Sequence, residues 1–157
     1  MKLRVVELLL VTTLPALFLA ADGIPPFDIT IATLIGGTLA AGAANAFNMV
    51  IESDIDQLMN RTSKRPIVSN QVTENQALGF ATIITVLSLA IFWFFTNPLA
   101  TALTVSAIAF YVFGYTVGLK RRTSQNIVWG GIAGCLPVLI GWAAITNTLS
   151  WTAFWRF

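Results

Sequence analysis

Asn45, Asn48, Glu52 and Asp56 succeed one another at spacings of three, four and four residues, so on an α-helix they share one face. Asp54 lies between the last two, and three of the chain's seven acidic residues therefore fall within five positions. Carboxylates and amides offer hard oxygen ligands. A stripe of them suits a divalent cation such as Mg²⁺, which keeps some of its waters and takes further ligands from a substrate phosphate. The basic run Arg61-Thr62-Ser63-Lys64-Arg65-Pro66 follows directly, and guanidinium and ammonium groups pair with phosphate oxygens. A plainer account also fits: an acidic helix end followed by Arg and Lys makes a solvated, charge-balanced turn. Against it stand Asn45 and Asn48, which carry the polar stripe back into an apolar segment where a helix end has no need of amides.

The elements that position this stripe belong to a membrane protein. The 157 residues are 56% hydrophobic and only 10% charged, with a mean hydropathy of +0.77, a composition foreign to soluble domains. The net charge of +2 is small and scattered, which argues against a nucleic-acid partner. Histidine is absent, removing the usual axial haem ligand and the usual zinc ligand, so any metal site must be built from oxygen. The single cysteine, Cys135, has no partner for a disulfide and is expected to be a small core residue within a helix.

A first apolar run extends from Val5 to Ala21 behind Lys2 and Arg4. Leu19-Ala20-Ala21 offers a signal-peptide cleavage site, but Glu7, Pro15 and the apolar segments that follow favour a first transmembrane helix. Pro25-Pro26 marks a loop. The second segment, from about Ile29 to Ile51, is long enough to span ~30 Å of hydrocarbon. Its small residues at Gly36-Gly37 and from Ala40 to Ala44 predict a central helix closely approached by others. This helix is expected to continue through Asp56 to about Asn60, with Pro66 ending it.

Thr73-Glu74-Asn75-Gln76 has the form of a capping box and predicts a third helix reaching about Thr96. Asn97-Pro98 is a tight turn, a fourth helix runs from about Leu99 to Gly118, and a fifth from about Asn126 to Ile145 with a kink at Pro137. A sixth segment begins at Trp151. With five alternating helices, Lys2, Arg4, Arg61, Lys64, Arg65, Lys120, Arg121 and Arg122 all fall on one side, whereas the opposite loops carry no Lys or Arg. That asymmetry places the N-terminus and both basic loops in the cytoplasm. The acidic stripe and the basic loops then share one membrane face, an arrangement suited to a diphosphate whose apolar tail lies among the helices. Transport and channel subunits also place acids and amides in membranes.

The stretch from Asn45 to Asp56, continued by Met59-Asn60-Arg61-Thr62 and Lys64-Arg65-Pro66, resembles the first aspartate-rich motif of the UbiA-type membrane prenyltransferases. Within them it is most similar to the branch that farnesylates haem b, the protoheme IX farnesyltransferases or haem O synthases. Supporting stretches run in the family's order over nearly the whole chain: Arg4 to Thr13, Gly36 to Gly42, Tyr115-Thr116 with Leu119 to Thr123, Gln125-Asn126, and Gly131 to Pro137, ending at Gly141 to Ala144.

The resemblance implies a nine-helix fold of which this chain, an all-α polytopic bundle of five helices plus the start of a sixth, is the N-terminal half. It also implies a bacterial-type inner membrane and a Mg²⁺-dependent reaction, in which farnesyl diphosphate ionises, a vinyl group of haem b captures the farnesyl cation, and water adds. Asn48, Glu52 and Asp56 would hold the metal-diphosphate, with Asp54 close by. Arg61, Lys64, Arg65, Lys120 and Arg121 would meet the diphosphate, with Tyr115 and Asn126 as lesser candidates. Haem is then a substrate, the lipid bilayer the surroundings, and haem-oxidase assembly proteins the expected partners.

Two departures stand out. Glu52 occupies a position where the superfamily usually has Asp, which moves the carboxylate out by one methylene. The chain also ends before the family's second aspartate-rich motif, and its opening is shorter than the family's lead-in. The expectation is a single membrane domain over residues 1–157, inactive by itself. Two other readings remain beside this one: a UbiA-type enzyme with an aromatic acceptor, and a transport or assembly subunit that binds a cation without chemistry.

Overall fold

The computed structural model describes residues 3–56, 67–69, 71–119 and 126–149. The regular elements among the described residues are all helices, without a strand, and their order is α1 (Leu3–Ala20), α2 (Phe27–Ile51), the single turn α3 (Ser53–Asp56), α4 (Glu74–Phe95), α5 (Pro98–Ala109) and α6 (Asn126–Thr146). A π-helical segment, Phe110–Leu119, continues α5. Among the described residues, three stretches are long and apolar enough to cross a membrane: Phe27–Ile51, Glu74–Phe95 and Pro98–Thr116. The shorter stretches Glu7–Ala20 and Gly134–Thr146 are also apolar. The sixth segment predicted from Trp151 lies outside the described residues.

Helix α2 is the centre of the bundle, as its small residues predict, touching α1, α4, α5, α6 and the π segment. Its tightest seam is with α4. A Cβ built on Gly36 would lie 2.8 Å from Cε2 of Phe92, and the Ser88 hydroxyl donates to the Gly36 carbonyl at 2.7 Å across the same seam. Only a residue without a side chain permits that approach. A second close approach joins α1 to α6, where a Cβ on Gly141 would stand 3.1 Å from Cγ2 of Thr13.

The helix starts follow local chemistry. The predicted capping box is present: Gln76 N–H donates to the Thr73 hydroxyl at 3.3 Å, and Thr73 N–H donates to Gln76 Oε1 at 3.1 Å. The Asn97-Pro98 pair does more than turn the chain. Asn97 Oδ1 accepts from Ala100 N–H at 2.8 Å, capping α5 with Pro98 in its first turn. Its Nδ2 donates to the carbonyls of Ala143 at 2.7 Å and Ala144 at 3.1 Å, so the same side chain satisfies carbonyls near the end of α6. Asn97→Ala is therefore expected to lower stability by about 2–3 kcal/mol, since a cap and a part-buried tether are lost together. Denaturant unfolding of the detergent-solubilised protein measures it, and Asn97→Asp should recover the cap but not the tether.

Two expectations are corrected. The second helix does not run on through Asp56: it ends at Ile51, and Glu52 takes φ −102° and ψ 10° as its C-cap. The new turn that follows is anchored from another helix, because the Ser53 hydroxyl donates to Glu74 Oε1 at 2.9 Å. Cys135 is exposed rather than in the core. It follows Gly134, which is exposed too.

Candidate functional site

The last two turns of α2 convert an apolar membrane helix into a polar one, and the structure shows how each group is held. Asn45 is buried at the edge of the bundle, its Nδ2 donating to the Ala41 carbonyl at 2.9 Å. One turn later Asn48 is only 2% exposed, and its Oδ1 has no hydrogen-bond partner. A buried amide oxygen without a partner costs free energy and calls for a reason. Glu52 follows at 4% exposure. It sits in the sparsely populated bridge region of backbone space, where active-site residues recur, and its N–H donates to the Asn48 carbonyl at 3.0 Å. A buried carboxylate one helical turn from a buried, unpartnered amide oxygen offers the oxygen chemistry that a hard cation takes.

Not every predicted residue joins them. Asp54 is exposed on the α3 turn, outside the buried pair. The break at Glu52 takes Asp56 out of the continuous helical stripe; its backbone closes α3, and its side chain lies outside the description. Arg61, Lys64, Arg65, Lys120 and Arg121 lie outside the described residues. Asn126 opens α6, and its side chain too is outside the description. Tyr115 is placed, with its ring stacked on Tyr111 at a centroid distance of 5.4 Å and an interplanar angle of 27°. The Thr116 hydroxyl donates to the carbonyl of Tyr111 five residues back at 2.9 Å, a spacing that the wider π turn brings into register.

Beside the polar end of α2 lies a cleft with about 850 Å³ of empty space, its open mouth included. Helix α2 lines it from Thr33 to Asn45, and α1, α5 and α6 supply apolar walls, with Phe92 from α4 and Tyr111 from the π segment. Sequence reasoning missed this cleft, together with Tyr111 and Thr33. Thr33 is 2% exposed, and its hydroxyl has no partner. One signal was available. Gly37, next to the tightly packed Gly36, has nothing within 4 Å of a built Cβ and faces the cleft, so the glycine pair serves two purposes.

The model of the UbiA prenyltransferase family matches residues 9–157. The chain belongs to that family. Two curated relatives, the protoheme IX farnesyltransferase of Renibacterium salmoninarum and protoheme IX farnesyltransferase 1 of Saccharopolyspora erythraea, are each 56% identical over 156 residues. These matches cover 99% of this chain but 49% and 50% of the relatives, so the chain spans about half the length of the curated relatives it matches. Two solved UbiA homologues share the fold. One, from Archaeoglobus fulgidus and bound to DMAPP and Mg²⁺, superposes with a TM-score of 0.76 at 18% identity, over 98% of this chain and 56% of that one. The other, an apo structure from Aeropyrum pernix K1, gives 0.73 at 22% identity over 99% and 56%. The helical bundle around α2 is thus a UbiA-type arrangement, and this chain is an integral membrane member of the UbiA family.

Proposed function

We propose that this UbiA-family chain supplies the first acidic motif and part of the prenyl cleft of an enzyme that transfers a farnesyl group from farnesyl diphosphate to a vinyl group of haem b. One observation carries the reading: a single helix, α2, lines an apolar cleft as far as Asn45 and then presents the buried oxygens of Asn48 and Glu52. An apolar chain ending in a diphosphate has the same two-part character. The naming of the 56%-identical relatives as protoheme IX farnesyltransferases supports haem b as the acceptor.

In this reading Asn48, Glu52 and Asp56 hold Mg²⁺ through oxygen, and the unpartnered Asn48 Oδ1 with the buried Glu52 fits that demand. When bound, Mg²⁺ neutralises charge that grows on the departing diphosphate. Arg61, Lys64 and Arg65 from one loop, and Lys120 and Arg121 from the other, pair with the remaining phosphate oxygens. Asp54, exposed on its turn, assists from outside. Tyr115, stacked on Tyr111, and Asn126 are lesser candidates for the same role. The carbon–oxygen bond would break with its electron pair leaving on diphosphate, the vinyl group would capture the allylic cation, and water would add to the haem side-chain cation that results, giving up its proton to the departed diphosphate to leave the hydroxyethyl group. The cleft walls keep water from the cation until the vinyl group reaches it.

We further propose that the N-terminus and basic loops face the cytoplasm of a bacterial-type inner membrane, since five alternating helices would bring every Lys and Arg from Lys2 to Arg122 to one side. Residues 1–157 form one membrane domain, the N-terminal portion of the enzyme and inactive alone, and haem-oxidase assembly proteins are its expected partners.

The test uses the protein as its gene encodes it, in membrane vesicles with Mg²⁺, farnesyl diphosphate and haem b. The expected product is haem carrying one hydroxyethylfarnesyl group, identified by mass. Prenylation of a phenolic acceptor instead would move the chain to another branch of the family. No diphosphate release with any acceptor would leave a cation-binding transport or assembly subunit.

A further inference from the structure

Asp56 is separated from Asn48 by a break in the helix. Helix α2 ends at Ile51, and Glu52 leaves the helical path at φ −102° and ψ 10°. The four residues Ser53–Asp56 then form a turn of their own. A helix that short has almost no stability by itself, and the hydrogen-bond ladder of α2 no longer dictates its direction. Whatever aims this turn also fixes where the backbone of Asp56 stands relative to Asn48 and Glu52.

The anchor lies on another helix. The Ser53 hydroxyl donates to Glu74 Oε1 at 2.9 Å, and a hydrogen bond to a carboxylate is stronger than one between neutral groups. Glu74 opens α4, whose start is held by the Thr73–Gln76 box. Further along, α4 is locked to α2 where Ser88 bonds the Gly36 carbonyl at 2.7 Å and Phe92 lies against Gly36. The two contacts share one register. From Gly36 to Ile51 α2 rises about 22 Å, and from Ser88 back to Glu74 α4 runs about 21 Å. Antiparallel helices keyed at Gly36 therefore bring Glu74 level with the end of α2, where Ser53 follows Ile51 by two residues.

We propose that Glu74 is a positioning residue: by holding Ser53 it fixes the α3 turn, and with it the backbone of Asp56, against Asn48 and Glu52. The inference rests on the reading above that Asn48, Glu52 and Asp56 hold a metal-diphosphate. Glu74 acts through the Ser53 hydroxyl and touches neither metal nor substrate. Its carboxylate has a simpler competing role, because a negative charge in the first turn of α4 favours the helix whatever Ser53 does.

Two readouts separate these roles in the protein as its gene encodes it. One is binding without transfer: the Kd of farnesyl diphosphate by calorimetry, with Mg²⁺ present and haem b omitted. The other is the Mg²⁺ concentration that gives half-maximal farnesyl transfer. Ser53→Ala and Glu74→Ala are each expected to raise both about tenfold, the scale for losing a group that orients a metal ligand. The double variant should be no worse than either single one, since both remove the same bond. Glu74→Gln keeps the acceptor oxygen and Ser53→Thr keeps the hydroxyl, so both should stay within about threefold of wild type. Asn75→Ala, at the exposed position next to Glu74, should change neither readout.

Ser53→Ala and Glu74→Ala within about twofold of an active wild type would overturn the positioning role alone. So would a loss in Glu74→Gln as deep as in Glu74→Ala with Ser53→Ala silent, because the charge and not the hydrogen bond would then matter. A wild-type protein that neither binds farnesyl diphosphate nor transfers its prenyl group overturns the reading of the site and the positioning role together.

Discussion

In the enzyme proposed above, Glu52→Ala is expected to reduce kcat by about a hundred- to a thousandfold, the scale of removing one preorganised group from a charge-stabilising site. Glu52 is 4% exposed at the end of a membrane helix, where a carboxylate without a task would be selected against because of its desolvation. Glu52→Gln keeps the size and the acceptor oxygen but removes the charge, and should lose nearly as much. Glu52→Asp keeps the charge and withdraws it by one methylene, so a partial loss is expected. Asn48→Ala should weaken turnover too, by about a hundredfold, since it deletes a buried oxygen that has no partner. Asp56→Ala is expected to abolish turnover, and exposed Asp54→Ala to cost about tenfold or less.

Single-turnover product formation, with thermal unfolding as a check on folding, separates these cases. A solvated turn of no catalytic consequence would leave Glu52→Gln at wild-type kcat, and that result would sink the metal-diphosphate assignment. So would full activity in the Asp56 variant.

The second large effect is on stability, and it should have opposite signs at adjacent residues. Gly36→Val is expected to destabilise the bundle by about 3 kcal/mol, at the upper end of overpacking costs. The new Cβ would lie 2.8 Å from Phe92 Cε2 and 3.1 Å from its Cδ2, and Phe92 is fully buried. To make room, α4 must move away from α2, which strains the Ser88 bond to the Gly36 carbonyl. Gly37→Ala meets nothing within 4 Å and replaces a flexible helical residue by the best helix former, for an expected gain of about 0.8–1 kcal/mol. Unfolding by denaturant in mixed micelles reads both. If Gly36→Val unfolds no earlier than wild type, the α2–α4 seam is looser than the geometry shows.

The same two residues mark the boundary between what sequence and fold each decide. Composition and apolar run length determined that this is an all-helical membrane protein, because only helices or closed barrels satisfy backbone hydrogen bonds in lipid. Local chemistry was equally legible. The Thr73–Gln76 box and the Asn97-Pro98 helix start involve residues three apart, so their partners can be read directly. The small residues of α2 announced a central helix, and the clustered acids marked out a candidate site, since carboxylates near membrane depth are rarely idle.

Tertiary structure decided the rest. The break at Glu52 depends on packing and on Ser53 reaching Glu74, twenty-one residues away, a contact that no helical periodicity contains. The second task of Asn97, holding the end of α6, arises forty-six residues along the chain. Gly36 and Gly37 read alike in sequence, yet one is filled by Phe92 and the other faces an open cleft. Periodicity places a residue on a face of its own helix; which neighbour covers that face, and where the covering stops, depends on the helices assembled around it.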